Sequence, residues 1–482
     1  MNREIPEMIT PATEPFDLTL PSAQYEVFVN GKRLPVHQAR VSAAPINQVW
    51  PGYQRPISQT EIASFAHWDM PAKALVRVVC AKPFVSVRVR PLSLDITPLA
   101  KDGVIEFTLD NPKPVTVECD GRHGALHLFP NPPERHGASE TDENTRMFGP
   151  GVHHPGKMTL KSGETIYIAE GAIVYGCVEA KHQKNIRILG RGVLDGSKVE
   201  RFGAPGLISL YKCEDVLIDG IILRDPSSWT VIPANCKRVV IDNVKLIGLW
   251  RYNADGIDVV NSEDVIIRNS FLRTFDDSIV LKGLKGWGGD ATDSPESTGA
   301  LRHVRSEGCV IWCDWGRALE LGAETCADTF DDIVFSDIDI IFTTHIALDV
   351  QHGDRAKISD VAFEDIRVEM DGYNPPPMLQ TAPYEFYAHT GEAFLPILFY
   401  TGIARTMWSK DEICGSVNGV TVKNLSVVTD RHTPESVIFG ADADHAVKGV
   451  TFENITVNGG KVSNAGDMNL KIGDHVSGVK FI

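Results

Sequence analysis

No stretch of this chain approaches the roughly 18 consecutive apolar residues that a membrane-spanning helix needs. A membrane partner is therefore not expected. The opening residues, Met1-Asn2-Arg3-Glu4-Ile5-Pro6-Glu7, carry no apolar run of the kind found in a secretory signal. The expected location is cytoplasmic, unless a signal was removed ahead of this numbering. Basic runs are missing as well. Lys+Arg number 47 against 63 Asp+Glu, for a net charge of −16. Such a surface repels a nucleic-acid backbone, so nucleic acid is not an expected partner. Cysteines lack metal-site spacing. There are nine: Cys80, Cys119, Cys177, Cys213, Cys236, Cys309, Cys313, Cys326 and Cys414. The one short spacing, Cys309 to Cys313, has no second pair to complete a zinc site. An odd, scattered set reads as small buried apolar residues in a reducing compartment.

Amphipathic helical patterns between strands are also absent. A TIM barrel or a doubly wound sheet needs a 10–15 residue helix there, so both are excluded. A β-propeller has a longer period than the one found below. The chain does have 41 Gly, 29 Pro and many short β-branched runs.

Two textures divide the sequence. From about Tyr25 to Pro130, alternating strands are separated by turn residues. Tyr25 to Val29 is followed by Asn30-Gly31, a hairpin signal. Ala74 to Val79, Val85 to Val89, Val104 to Leu109 and Val115 to Cys119 continue the pattern. This predicts an antiparallel β-sandwich, with a Pro- and Gly-rich connection over Pro130 to Asn144. The expected domains are 1–145, sandwich and linker, and 146–482, the repeat region.

In the second region a short apolar strand recurs after Asn, Asp or Gly. Examples are Asn185-Ile186-Arg187-Ile188, Asp215-Val216-Leu217-Ile218, Asp264-Val265-Ile266-Ile267 and Gly449-Val450-Thr451-Phe452. Equivalent apolar positions fall at 186, 216, 239, 265, 304, 333, 361, 420, 450 and 479. Most steps lie between 23 and 30 residues, with two longer ones of 39 and 59. A variable period of this size without helices predicts an all-β parallel β-helix, whose stacked coils share one apolar core. The long steps mark insertions, one over Gly283 to Ala300 and one over residues 371–413. Insertions of this kind crown a binding face or form a subunit contact, so the second is a candidate route to an oligomer.

Three carboxylates stand out. Asp255 lies in Asn253-Ala254-Asp255-Gly256, and Asp276-Asp277 follows Phe275. Asp255 and Asp276 are 21 residues apart, close to one coil. Stacked strands would bring them to one face. Successive residues on a regular strand point to opposite faces, so Asp276 and Asp277 can share a groove only where the backbone bends. Crowded carboxylates divide into a protonated acid and an ionised base, as glycoside hydrolysis requires. Asp195, Asp219, Asp242 and Asp258 read instead as turn residues bonding the backbone.

These residues resemble the polygalacturonase family, glycoside hydrolase family 28, and its relatives the dextranase and isopullulanase enzymes. The resemblance covers roughly Gly151 to Ile482. Gly190-Arg191-Gly192-Val193-Leu194-Asp195-Gly196 resembles the family's early Asp-Gly turn. Asp225-Pro226-Ser227-Ser228-Trp229 is similar to its Ser-Pro-x-Trp segment. Asn253-Ala254-Asp255 resembles Asn-Thr-Asp, and Asp276-Asp277 resembles the catalytic pair at the family's spacing. The resemblance implies a right-handed β-helix and an inverting hydrolase without metal or organic cofactor. It implies Asp276 as general acid, with Asp255 and Asp277 positioning and activating water.

Two segments depart from the pattern. Gly316-Arg317-Ala318-Leu319-Glu320 matches the family's Gly-His-Gly segment. Arg317 stands for the histidine and cannot shuttle protons. Ala347-Leu348-Asp349-Val350-Gln351-His352 matches the Arg-Ile-Lys segment that grips galacturonate, with both basic residues gone. A neutral or otherwise non-polygalacturonate glycan is the expected substrate. Candidate substrate-binding residues are Arg317, Glu320, Lys282, Asn253, Trp250, Trp315, His345 and His352. The tryptophans, with Trp287, are candidate sugar-stacking faces or core. Tyr373, Tyr384 and Tyr387 are candidates to close over substrate. Two other readings stay open: a β-helix lyase or epimerase using Arg317 or Lys282, and a glycan-binding protein without catalysis.

Overall fold

The structure, a computed structural model, describes residues 17–43, 57, 60–137, 142–285, 299–370 and 396–482. Two compact units divide the chain, one reaching Pro133 and the other beginning at Glu134. Among the described residues there is no α-helix. Accordingly none is long and apolar enough to cross a membrane, which says nothing of strand-built spans.

The first unit has two five-stranded sheets. In one, Tyr25–Val29 lies between Lys32–Leu34 and Ala74–Cys80, and Val104–Leu109 and Leu99–Lys101 follow, all antiparallel. The other runs in the order His37–Ser42, Thr60–Asp69, Leu126–Asn131, Val115–Cys119 and Val87–Arg90. One pair departs from the antiparallel rule: Leu126–Asn131 runs parallel to Thr60–Asp69. The two sheets enclose Val27, Val76, Val78, Ile105, Phe107, Val117 and Leu128. Thr60–Asp69 is buried along nearly its whole length. A strand covered on both faces shows no alternation, so period-2 reasoning passes over it.

The second unit is a stack of coils whose strands pair in parallel, in keeping with a right-handed β-helix. The apolar repeat positions form one ladder: Ile186, Val216, Val239, Val265, Val304, Ile333, Val361, Val420 and Val450. None is more than 2% exposed. The residue before each has positive φ, among them Asn185, Asp215, Asp264, Asp332, Asp360 and Gly449. Asn, Asp and Gly tolerate that left-handed corner best, which is why they punctuate the repeat. A second corner is tied by side chains, with Asn454 donating to Asn424 and Asn424 to Asp365.

The connection from Glu134 belongs to this unit. The Tyr167 hydroxyl donates to Glu134. Part of the long insertion is an ordinary rung, since Ile397–Ile403 pairs with Ile346–His352. Residues 286–298 and 371–395 lie outside the described set, and with them Trp287, Tyr373, Tyr384, Tyr387 and most of the segment considered for a subunit contact.

Candidate active site

One sheet of the β-helix carries the chemistry. Its successive strands include Ile257–Val260, Ile279–Gly283, Arg317–Thr325 and Ile346–His352, in parallel register. Asp255 lies two residues before the first of these. Its carbonyl accepts from the Thr230 N–H and hydroxyl. Asp276 and Asp277 precede the next strand. The backbone bends at Phe275 and Asp276, which releases the pair from strand alternation. The Gly256 N–H donates to the Asp277 carbonyl and the Asp276 N–H to that of Ala254, so the acids occupy adjacent rungs. The Thr274 hydroxyl donates to the Asp276 carbonyl and fixes the bend. Gly316 sits against it: a Cβ there would lie 2.4 Å from Asp277 N and 2.6 Å from Asp277 Oδ1. Only glycine lets the next coil stack on the acid pair.

All three carboxyl groups are buried, and their ionisation diverges. Asp276 is pushed well above the carboxylate range by burial and by the charges of Asp255 and Asp277. Burial also acts on Asp277, but Arg317, Lys282, the Glu320 side chain and the Arg317 N–H together overcome it. The Asp277 pKa ends below its ordinary value. That N–H donates to Asp277 Oδ1 at 2.9 Å. Asp255 is raised to about 6 by burial, against the pull of Lys282. The site thus holds a protonated acid next to an ionised base, with a third carboxyl between them in strength.

Two cations knit the acid cluster together. Lys282 Nζ lies 3.0 Å from Asp255 Oδ2, 3.2 Å from Asp258 Oδ1 and 4.2 Å from the centre of the Trp229 ring. Arg317 reaches Asp277 at 3.6 Å, Glu320 at 3.8 Å and Asp349 at 3.4 Å, and donates to Gln351 Oε1. Burial pushes Glu320 well above its ordinary range and Asp349 up to about 7.

Asp258 is not a turn residue. It stands mid-strand, buried, facing Lys282. Asp349 and Gln351 likewise belong to the cluster, through Arg317. The signal for them was the alternation 347, 349, 351 along one strand, each pointing to the same side.

Other candidates are placed differently. Asn253 has positive φ and its side-chain oxygen accepts from Arg201, which gives it a turn role at the rim. Trp250 is buried and donates to Asp225, so its ring is no open platform for a sugar. Trp315 is half-buried, in a row of rings with Phe275 at 6.1 Å and His345 at 6.3 Å. Burial and the Arg317 charge push His345 down to about 3, so its imidazole is neutral. His352 lies on the inward side of its strand with Leu348 and Val350, its Nδ1 2.8 Å from the Thr325 hydroxyl, which gives it a packing role. Among the described residues Cys326, Asp354 and Asp411 are close enough to share a metal ion, but Asp354 already accepts from the N–H groups of Thr325, Lys410 and Asp411.

No family model matches the chain. In sequence it is similar to polygalacturonase QRT2 of Arabidopsis thaliana, 22% identical over 205 residues, covering 38% of this chain and 42% of that protein. An exopolygalacturonase of Cochliobolus carbonum is 27% identical over 113 residues, covering 20% of this chain and 25% of that one. The chain thus spans less than half the length of the curated relatives it matches. Among solved structures, Dex49A from Penicillium minioluteum superposes with a TM-score of 0.67 at 16% identity, covering 98% of this chain and 96% of its own. A family 28 exopolygalacturonase of Yersinia enterocolitica gives 0.52 at 14% identity, covering 86% and 94%. The resemblance read from the motifs holds: the chain is similar in sequence to polygalacturonases and has the β-helix fold of Dex49A and of a family 28 exopolygalacturonase.

Proposed function

We propose that this chain is a glycoside hydrolase that cleaves a neutral, α-linked poly- or oligosaccharide with inversion. The observation that carries the reading is the placing of Asp276 and Asp277 on one bend, one rung from Asp255, where burial and like charges raise Asp276 while Arg317 and Lys282 lower Asp277. Asp276 donates its proton to the glycosidic oxygen as the C–O bond breaks. Asp277 and Asp255 hold a water on the opposite face of the ring. One of them takes a water proton while the oxygen bonds the anomeric carbon. Both acids return to their starting states by exchange with solvent.

The choice of a neutral sugar rests on charge. Lys282 and Arg317, the two cations described above, are each committed to protein carboxyls. Glu320 and Asp349 stand next to them. A uronate carboxylate would meet these acids beside two cations already committed to carboxyls. The same pairing argues against a lyase. Lys282 is held protonated by Asp255 and Asp258, despite the opposing effect of burial, and an arginine does not act as a base in water.

Incubation with a panel of neutral and acidic glycans, followed by NMR of the first-formed anomer, tests the reading. Hydrolysis of a neutral member with inversion is the expected outcome. Unsaturated products, retention, or turnover confined to polygalacturonate would reject it.

A further inference from the structure

We propose that Cys80 and Cys119 form a redox site, whose two thiols close reversibly to a disulfide that staples the two sheets of the sandwich. The chain has nine cysteines, and seven of them, from Cys177 to Cys414, are buried. Cys80 and Cys119 are the two half-buried ones, and they face each other with their Sγ atoms 3.9 Å apart. A thiol buried in apolar surroundings is inert, whereas a half-buried pair is open to a small thiol reagent.

The backbone brings the pair together. Cys80 ends strand Ala74–Cys80 of the first sheet, and Cys119 ends strand Val115–Cys119 of the second. Antiparallel register sets Cys80 opposite Tyr25 and Cys119 opposite Val87. The Cys80 N–H donates to the Gly103 carbonyl. The turn after Cys80 is clamped onto the residue after Cys119. Asp120 Oδ1 accepts from the N–H groups of Val85 and Ser86, at 2.9 and 2.7 Å, and the Asp120 N–H donates to the Ser86 carbonyl. Both cysteines pack on the edge of the core that the sheets enclose. A disulfide holds its sulfurs about 2.05 Å apart, which leaves roughly 2 Å to be closed between two side chains on a backbone already fixed.

The contact also divides the roles. The hydrogen bond from Cys80 holds the Cys119 thiol below its ordinary value in spite of burial, and the same bond pushes Cys80 up. Cys119 is therefore the first to react as a thiolate. The co-reactant is a low-molecular-weight disulfide such as oxidised glutathione. The Cys119 sulfur attacks one of its sulfurs, and one glutathione thiolate leaves. Cys80 then loses its proton and attacks the Cys119 sulfur, which breaks the mixed disulfide and releases the second glutathione. Two electrons pass from the cysteine pair to the reagent, and the two protons lost by the cysteines are balanced by those taken up by the two glutathiones. The bond closes the loop between residues 80 and 119, which restricts the unfolded sandwich.

The test uses the full chain, first reduced and then equilibrated in glutathione buffers of increasing oxidation. Free thiols are counted by alkylation in denaturant, and peptide mapping locates the bond. Two of the nine thiols should disappear together, joined as Cys80–Cys119, while the seven buried ones remain. Dithiothreitol should restore the pair. Amide exchange of strands Ala74–Cys80 and Val115–Cys119 should slow about tenfold or more once the bond forms. In Cys80→Ser the chemistry should stop at its first step and leave one glutathione on Cys119. Nine free thiols at every poise, loss confined to the buried set, or separate glutathiones on Cys80 and Cys119 of the unmutated chain would overturn the site. Unchanged amide exchange in the bonded chain would overturn the staple. None of these readouts needs a glycan, so they stand apart from the hydrolase reading.

Discussion

Two columns of residues run along the same rungs, one position apart, and follow opposite rules. The inner column is Val231, Ile257, Ile279, Leu319, Leu348 and Phe399, every member buried and apolar. The outer column is Asp258, Val280, Glu320, Asp349 and Tyr400 on the same strands. Strand alternation sends neighbours to opposite faces, so an apolar core and an acid cluster are built from the same few residues. The inner column gains from sameness, since each side chain stacks on its like. The outer column gathers carboxyls that repel one another. It is tolerable only because Lys282 and Arg317 are threaded through it and because several acids stay protonated.

The largest effect should come from removing the proton donor of the outer column's neighbour. Asp276→Asn keeps the shape and loses the acid. Turnover of the best neutral glycan should fall roughly 10²–10⁴-fold. Circular dichroism and the melting temperature should stay near those of the parent. Near-normal turnover would show that the acid lies elsewhere. Next comes Lys282→Met, which leaves Asp255 and Asp258 buried beside no cation. Removing one partner of such a cluster costs about 3–5 kcal/mol. Denaturant unfolding at neutral pH would measure it, and a loss under 1 kcal/mol would show that Lys282 is dispensable to the cluster.

What was legible from the sequence alone is a different apolar ladder, Ile186, Val216, Val239, Val265 and their successors, because it repeats. Asn, Asp or Gly followed by a β-branched residue recurs often enough to reveal a coil of 23 to 30 residues. The outer column does not repeat, so only motif likeness pointed to it. That likeness pointed to Asp255, Asp276 and Asp277, which the fold brings onto adjacent rungs, while Asp258 read as a turn on general grounds. An Asp in a solenoid is most often a corner residue, and only register shows that this one lies mid-strand. Trp250 and His352 failed as sugar contacts for a related reason. Closeness in sequence to the site says nothing of which way a side chain points.

Glu320 separates charge from shape in the outer column. Its carboxyl is held protonated and leans on Asp277 as a donor, helping to keep that base ionised. In Glu320→Leu the donor is gone, so the Asp277 pKa should rise. A base with a raised pKa is lost at a higher pH on acidification. The acid limb of the rate profile should therefore move up by roughly one unit. Glu320→Gln keeps a donor and should restore most of the parent profile. If both variants moved the limb equally, shape and not donation would be the contribution of Glu320.

The smallest effect should come from the inner column, and it sharpens the contrast. Ile279 is two residues from Asp277 and stacks between Ile257 and Leu319. Ile279→Val deletes one methylene from a fully buried site, at a cost of about 0.5–1.5 kcal/mol. In a solenoid each rung contacts only its neighbours, so the loss should stay local. The bend that carries Asp277 is fixed by backbone bonds and by Gly316, not by the length of the Ile279 side chain. The melting temperature should fall by a few degrees at most while the pH profile of turnover stays in place. A shifted profile in this variant would mean that packing on the inner face sets the acid strengths on the outer one, and the two columns would no longer be separable.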